Sequence, residues 1–301
     1  MFNESQKKKY IDISKEDNIQ LELYLPRIFR DTEKLESKYN IDVSNWSVNI
    51  ILEFYKSLCV GSTSSLLMMN SQLRKYAEYC QINNLLNDNQ NHFNEITYDV
   101  ILNCINKGFL KSYIVSKSEL YNDLDKMDCV SDAFFVLALF EGIGGRRMID
   151  FRNLNMSNFV DCTVNLASNR KLIISTKLYE LAKESSETYE YMSNVRKVFF
   201  KNDDINIIKE RINSYTTNDR QRLLRYSITL QRLKKKFGKN YFSMSALKDS
   251  GLINMVNEIS RTENIDAESI LNNAKYREQI EYRYGKIYSV SRILQKYNNY
   301  F

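Results

Sequence analysis

With 301 residues, the chain is long enough for two domains that each bury a core of their own. Its hydrophobic fraction of 43%, with only 8 glycines and one proline, excludes extended disorder and predicts a mainly helical protein. The net charge of +6 is uneven, because residues 1–120 hold 14 Lys and Arg against 15 Asp and Glu, and the basic excess therefore belongs to the rest of the chain.

The five cysteines are odd in number, scattered, and lack the spacing of metal ligands. A reducing cytoplasm is the simplest interpretation, and we expect no metal and no cofactor. No apolar run has the length of a signal peptide or of a membrane span, so we expect a soluble protein without membrane contacts.

The first 20 residues are polar and include the run Lys7–Lys9. We expect an arm outside the core, whose charges are solvated or, as the alternative, touch DNA. Apolar residues then recur at helical spacing from Asn45, and a second helix follows the turn at Gly61. An ordinary amphipathic helix is one interpretation of this second helix. The other is a polar face that contacts DNA through Thr63, Asn70, Arg74 and Lys75.

The second half of the chain shows one strand signal among helical patterns. Asp132–Phe140 is almost wholly apolar and predicts a buried helix. Residues Phe159–Ser175 alternate between apolar and polar positions and predict a small hairpin, the only strand region that the sequence indicates. From Tyr179 to Phe301 the periodicity is helical. The domain boundary is expected between residues 110 and 128, which gives domains of residues 21–115 and 125–301.

The segment Arg220–Lys248 contains nine Lys and Arg residues and no Asp or Glu. Such unopposed cations predict helices with one side buried and the other offered to phosphate, and hence DNA binding that weakens steeply with salt. The buried side is predicted to hold Leu223, Leu224, Ile228, Leu230, Leu233 and Phe237, and the core to include Tyr226 and Tyr241. The expected DNA contacts of this segment are Arg225, Arg232, Lys234, Lys236 and Lys248.

Three short motifs follow one another in the second half. The first is the Gly-rich stretch Gly142–Gly145, after which come Arg146, Arg147 and, three residues beyond Arg147, Asp150. A Gly turn at a helix start presents backbone N–H groups and an arginine to one phosphate, so both arginines are expected DNA contacts. The second motif reads Ser245-Ala246-Leu247-Lys248-Asp249-Ser250-Gly251. The third places Tyr282 nine residues after Asn273.

The order and spacing of these motifs resemble those of phage integrases and other tyrosine recombinases. In that family the second motif reads His-x-Leu-Arg-His-Ser-Gly, and the third leads from a histidine to the nucleophilic tyrosine. The resemblance covers roughly residues 45 to 285. It implies a mainly α, two-domain fold that clamps double-stranded DNA in a C shape. The first domain would be a helical SAM-like core-binding domain, and the second a mostly helical catalytic-like domain with a small β-hairpin.

The resemblance also implies that most of the catalytic residues are lost. The family positions fall on Arg147, on Arg170 or Lys171 in the hairpin, and on Ser245, Lys248, Asn273 and Tyr282. The single histidine, His92, lies outside this set, and serine and asparagine do not act as general acids or bases near neutral pH. Lysine at position 248 keeps a charge but loses the planar fork that holds a phosphate through two hydrogen bonds. We therefore expect no catalytic residue and no strand exchange.

Three functions from different classes remain open. We favour a DNA-binding regulator on a recombinase scaffold, similar to the integrase-like lysogeny repressors of SPbeta-group Bacillus prophages. This similarity implies a cytoplasmic, nucleoid-associated repressor of lytic genes in a bacterial host, with no small-molecule substrate. The alternatives are an active recombinase with a divergent site and an accessory factor that bridges DNA. The apolar face of residues 286–298 predicts either self-association through a terminal helix or packing on its own domain.

Overall fold

The computed structural model describes residues 2–17, 21–58, 60, 63–105, 111–193, 196–202, 204–212, 218–285, 293, 294, 297 and 300. Two compact units are present, Met1–Lys111 and Ser112–Phe301. Helices dominate both units and the strands form small antiparallel sheets, which confirms the predicted fold class. Within the described ranges, no helix is long and apolar enough to cross a membrane.

The first unit consists of helices around an aromatic core. Trp46, Phe54 and Tyr76 are fully buried in it, and the rings of Trp46 and Phe54 meet edge to face with their centroids 5.3 Å apart. Short 3-10 turns at Val43–Asn45 and His92–Glu95 connect the helices. The helices are α1 (Glu4–Asp17), α2 (Leu21–Tyr39), α3 (Val48–Ser57), α4 (Thr63–Ile82) and α5 (Tyr98–Asn103).

Helix α1 is part of this core, so the prediction of an arm outside the core is wrong. Lys7 is fully buried, and its Nζ donates to both carboxylate oxygens of Glu36, at 2.5 and 2.6 Å. Glu36 also accepts the backbone N–H of Val43, and Tyr10 packs edge to face on Tyr76. A charge is tolerated in a core when it is paired and hydrogen-bonded in this way. Composition does not reveal such a pair, because a solvated arm contains the same residue types.

The second unit is built around the apolar helix predicted from Asp132–Phe140. This helix, α7, spans Val130–Phe140, and every residue of Ala133–Phe140 is buried, which confirms the prediction. It packs between α8 and α10. The other helices of the unit are α6 (Lys117–Leu124), α8 (Thr176–Glu187), α9 (Asp219–Phe237), α10 (Met244–Glu263), α11 (Ala267–Asn272) and α12 (Ala274–Tyr284).

The close approach of α10 to α7 depends on Gly251 of the second motif. A Cβ at this position would lie 1.7 Å from the carbonyl oxygen of Phe140, so only glycine fits. The neighbouring Ser250 is buried, accepts the backbone N–H of Val115 through Oγ and donates to the carbonyl oxygen of Ala246. The Ser-Gly pair that resembles the recombinase motif therefore has a packing role in this chain.

Two small antiparallel sheets complete the second unit. Strands β1 (Phe159–Val160), β2 (Thr163–Asn165) and β3 (Lys171–Ile173) pair in that order inside the predicted hairpin region. Strands β4 (Glu190–Ser193) and β5 (Arg196–Phe199) form a second hairpin. The prediction that Phe159–Ser175 is the only strand region is therefore wrong. Strands this short do not establish a period of two, and the segment reads as part of the surrounding helical pattern.

The described residues of the C-terminal tail pack on their own unit. Ile293 and Tyr297 are buried in one cluster with apolar residues of α10, α11 and α12. The hydroxyl of Tyr297 donates to the carboxylate of Asp249, and Asn257 Nδ2 donates to the carbonyl oxygen of Tyr300 at 2.8 Å. Ile287 and Val290, which belong to the predicted apolar face, lie outside the described residues.

Candidate nucleic-acid interface

The first motif forms an irregular 3-10 segment, Arg146–Phe151, rather than the start of the predicted helix. Arg147 and Met148 have φ values of 54° and 58°, in the left-handed region that side-chain-bearing residues rarely adopt. The buried Asp150 carboxylate stabilises this backbone by accepting the N–H groups of Gly144 at 2.9 Å and Ser168 at 3.2 Å. Strained backbone of this kind is found where a site fixes the direction of a side chain.

The segment points its arginines into a groove of about 380 Å³, which we call the arginine groove. Its lining residues are Arg146, Arg147, Met148, Ile149, Arg152 and Arg222. Arg146 and Arg147 are exposed and make no hydrogen bond or ion pair with any residue that the structure describes. Arg147 in particular does not pair with Asp150. Four guanidinium groups around one concavity form a site suited to phosphate oxygens, which arginine binds through planar, two-pronged hydrogen bonds.

The hairpin cation Arg170 has a different environment, because all five of its N–H donors face protein acceptors. Nε donates to Ser168 Oγ at 2.9 Å, and Nη1 donates to the carbonyl oxygens of Tyr282, at 3.1 Å, and Arg283. Nη2 donates to the Asp150 carboxylate at 2.5 Å and to the carbonyl oxygen of Gly142 at 3.3 Å. Arg170 thus connects the first motif to the end of α12 and has no N–H left for DNA. Lys171 is exposed instead.

Tyr282, the family's nucleophile position, is 48% exposed and lies against the hairpin. Its hydroxyl oxygen accepts the backbone N–H of Lys171 at 2.8 Å. The next residue, Arg283, donates to the carbonyl oxygens of Glu141 at 2.8 Å and Ile173 at 2.9 Å. Among the described residues, no histidine, carboxylate or lysine side chain contacts the Tyr282 hydroxyl as a base.

The three remaining family positions have separate surroundings. Lys248 is partly buried against the first motif, where a Cβ at Gly144 would lie 3.0 Å from Lys248 Nζ. Burial, and then the positive charge of Arg170, lower the pKa of Lys248. Ser245 is exposed in the first turn of α10. Asn273 caps α12 by accepting the backbone N–H of Lys275, which is a helix-capping role.

Three cations of Arg220–Lys248 are opposed by acids that come from other elements, which corrects the prediction that the whole patch is unopposed. Arg232 pairs with Asp132, Lys236 Nζ lies 2.6 Å from Asp128, and Lys239 Nζ lies 2.7 Å from Glu119. Arg225 donates to the carbonyl oxygen of Lys209. Lys234 and Lys235 remain without an acidic partner among the residues described. Tyr226 and Tyr241 are buried, as predicted.

Helix α4 of the first unit presents a smaller polar surface than the sequence suggests. Asn70 is buried, accepts the hydroxyl of Tyr55 at 2.8 Å, and is therefore corrected from DNA contact to core residue. Arg74 and Lys75 are exposed, and Arg74 Nε lies 3.6 Å from Glu78. Thr63 is partly exposed at the start of the helix. The predicted face is reduced to these three residues.

Comparison with family models covers most of the chain. Residues 1–82 match the model described as MrpR, N-terminal core-binding domain, and residues 114–299 match MrpR, C-terminal catalytic domain. No curated protein matched the sequence. In the described part of the chain, no group of His, Cys, Asp and Glu could hold a metal ion.

Proposed function

The chain belongs to the MrpR family of tyrosine-recombinase-like proteins, and from this we propose that it binds specific sites in double-stranded DNA without cutting them. In this proposal the recombinase scaffold still binds DNA phosphates but no longer cleaves the DNA strand. Binding at promoters would make the protein a transcriptional repressor.

The observation that carries the proposal concerns Arg170, one of the two candidates for the family's hairpin cation, whose N–H donors are all bound to acceptors of the protein itself. Phosphodiester transfer of the recombinase kind needs cations on the scissile phosphate, a proton donor for the leaving oxygen and an activated tyrosine. The hairpin guanidinium instead contacts the Asp150 carboxylate and four neutral oxygens of the protein. Rotating it onto a phosphate would leave the buried Asp150 without its ionic partner, a change that costs about 3 kcal/mol or more.

The arginine groove supports the DNA-binding part of the proposal. Lysines and arginines that neutralise phosphates release counterions and supply most of the affinity for DNA. Arg146 and Arg147 are exposed at the groove, and Lys234 and Lys235 add charge on α9.

The repressor role rests on the similarity to the integrase-like lysogeny repressors of SPbeta-group Bacillus prophages. From the same similarity we expect that a prophage encodes the protein and that it is associated with the bacterial nucleoid. The packing of Ile293 and Tyr297 on their own unit supports the alternative in which the C-terminal tail packs on its own domain. Self-association through that tail would need Ile293 and Tyr297 to leave this position.

Two experiments test the proposal. Genome-wide mapping of bound DNA should find repeated sites near promoters, whereas a single site of attachment type would contradict a repressor. A nicked suicide substrate that contains a mapped site should then give no denaturation-resistant adduct. Tyr282→Phe should bind the same site as tightly as the wild type, because its hydroxyl makes one hydrogen bond at a half-exposed position.

An active recombinase is the second candidate, and the exposure of Tyr282 is the observation that favours it. A tyrosine that is 48% exposed is accessible to a DNA strand. Recovery of an adduct from the wild type and its loss in Tyr282→Phe would establish this alternative and overturn the proposed repressor.

A further inference from the structure

A second groove lies in the C-terminal unit, between the β4–β5 hairpin, the start of α7 and one side of α9. Its volume is about 730 Å³, within the range of sites that bind organic ligands or peptide side chains. All the residues that line it belong to the described part of this one unit. We call this feature the hairpin groove.

Exposed apolar side chains form the rim of the hairpin groove. On α9, Leu224 and Ile228 are 59% and 55% exposed, although their spacing predicts burial in the core. Phe199 of β5 and Ile212 face them and are 47% and 52% exposed. Four large apolar side chains along one concavity are more than the scattered exposed residues of an ordinary surface, and such patches mark interaction sites.

The floor of the groove consists of packed aromatic rings. Tyr191 and Phe200 are buried and stack with their ring centroids 5.6 Å apart, and Phe135 stacks on Tyr226 at 4.9 Å. These rings belong to the hairpin, to α7 and to α9, so the groove is formed by packed elements. A preformed floor lowers the entropy that a partner must lose on binding.

Positive charge along the same groove is only partly neutralised. Arg232 pairs with Asp132. Arg211 donates to the hydroxyl of Tyr191 at 2.6 Å, and Arg225 donates to the carbonyl oxygen of Lys209, so both of these guanidinium groups end on uncharged oxygens. Carboxylates are the natural partners of such groups, because charge-assisted bonds are stronger than bonds to neutral acceptors.

We propose that the hairpin groove binds an acidic, amphipathic peptide segment of a partner protein. Apolar side chains of the segment would contact Leu224, Ile228 and Phe199, and its carboxylates would contact Arg211 and Arg225. DNA does not fit this surface, because phosphates gain nothing from a rim of aliphatic and aromatic side chains. The apolar side chains of the rim are spaced along the groove, as are the apolar side chains by which a peptide segment binds.

The test selects peptides from a random library displayed on phage, with the immobilised full-length protein as the target and with no DNA present. We expect enrichment of sequences that combine Asp or Glu with Leu, Ile or Phe. Anisotropy of the fluorescein-labelled synthetic peptide then measures affinity. Ile228→Glu and Arg211→Glu should each weaken binding by at least ~10-fold, the size of effect typical of central anchors.

Matched controls change residues that do not line the groove. Ile82→Glu changes an 81% exposed isoleucine of the first unit, and Arg277→Glu changes an arginine of α12. Both should bind the peptide as the wild type does, and circular dichroism should show every variant folded. Because DNA is absent, failure of this test is separate from failure of the repressor proposal.

Four outcomes would overturn the inference. The first is no enrichment of any peptide sequence. The second is enrichment of peptides whose binding survives Ile228→Glu, since these bind elsewhere. The third is binding that is lost in Ile228→Glu but kept in both Arg211→Glu and Arg225→Glu, which would remove the acidic character from the partner. Dimerisation of the protein that Ile228→Glu abolishes would assign the groove to a second copy of this chain instead.

Discussion

Two arginines of the catalytic-like unit stand at cationic positions of the resemblance but have different surroundings. Arg147 projects from a strained backbone and makes no hydrogen bond or ion pair with a described residue, while Arg170 is enclosed by Ser168, Asp150 and the carbonyls at the end of α12. Arg147 is therefore available to bind a ligand, whereas Arg170 stabilises the fold. Their substitutions should therefore have opposite effects.

We expect Arg147→Ala to weaken DNA binding and to leave the free energy of unfolding within ~0.5 kcal/mol of the wild type, as for an exposed residue without partners. Arg170→Ala should instead destabilise the protein by ~3 kcal/mol, because it leaves the fully buried Asp150 carboxylate without its cation. Urea unfolding and DNA titration on both variants measure the two effects. Loss of stability in Arg147→Ala, or an unchanged stability in Arg170→Ala, would contradict this division.

The single histidine gives a pH-dependent contribution that can be assigned without ambiguity. Glu95, at 2.7 Å from Nδ1, raises the pKa of His92, and Asp88, at 2.9 Å from Nε2, raises it further. Because the folded pKa lies above the unfolded value of 6.5, the stabilisation is complete below that value and disappears as the pH rises through the folded pKa.

The one set of imidazole NMR signals should titrate above pH 6.5. Stability should fall by less than about 1 kcal/mol over the same range, since the pair is near the surface. His92→Gln should remove this dependence. A titration midpoint at or below 6.5 would show that the two acids do not act on the ring.

At the scale of elements, the lysines at the end of α9 and just after it divide into those that face acids and those that do not. Lys236 pairs with Asp128 in the turn before α7 and Lys239 with Glu119 on α6, whereas Lys234 and Lys235 have no acidic partner among the described residues. A lysine that is already paired releases fewer counterions when it meets a phosphate.

Replacing Lys234 and Lys235 with glutamine should therefore flatten the dependence of log K on log salt by about 0.9 for each phosphate that is no longer neutralised. The matched double variant, Lys236→Gln with Lys239→Gln, should change the slope less. Titrations at several salt concentrations provide the measurement. Equal slopes in the two variants would mean that the intramolecular pairs do not distinguish these lysines.

The sequence predicted the burial of elements that show a long apolar run or a sustained helical period, and it failed where burial depends on a local contact with another element. The apolar run of α7 and the buried Tyr226 of α9 follow from sequence. Leu224 and Ile228 share the residue type of a core face but border the hairpin groove. That groove depends on β4 and β5, which are too short to show a period. Its location requires tertiary structure.

The candidate site was predictable in outline, since motif spacing identified Arg147, Lys248 and Tyr282. The partners of the cations were not predictable. Asp132 and Asp128 lie about a hundred residues before the lysines and arginines that they oppose, and no local pattern connects such pairs. The same limit applies to Lys7 and Glu36, whose pairing turns a polar segment into a core helix.

At the scale of the whole molecule, motif residues have been retained where they hold the second unit together. Gly251 is the sharpest case, because its missing Cβ allows α10 to contact the end of α7, where Phe140 O would lie 1.7 Å from an added methyl carbon. Gly238, at the end of α9, has a left-handed φ of 65° but nothing within 4 Å of the same position. The two glycines therefore separate the effect of space from the effect of backbone conformation.

We expect Gly251→Ala to destabilise the second unit by ~3 kcal/mol, because the added carbon forces two packed helices apart. Gly238→Ala should cost ~1 kcal/mol, the penalty of a left-handed conformation alone. Far-UV circular dichroism during urea unfolding monitors the helices of both units, and the fluorescence of Trp46, the single tryptophan, monitors the core of the first unit. Since the two units have separate cores, the fluorescence midpoint should shift less than the dichroism midpoint. A Gly251→Ala protein as stable as Gly238→Ala would show that α10 can move away from α7, and that the retained motif is not there for packing.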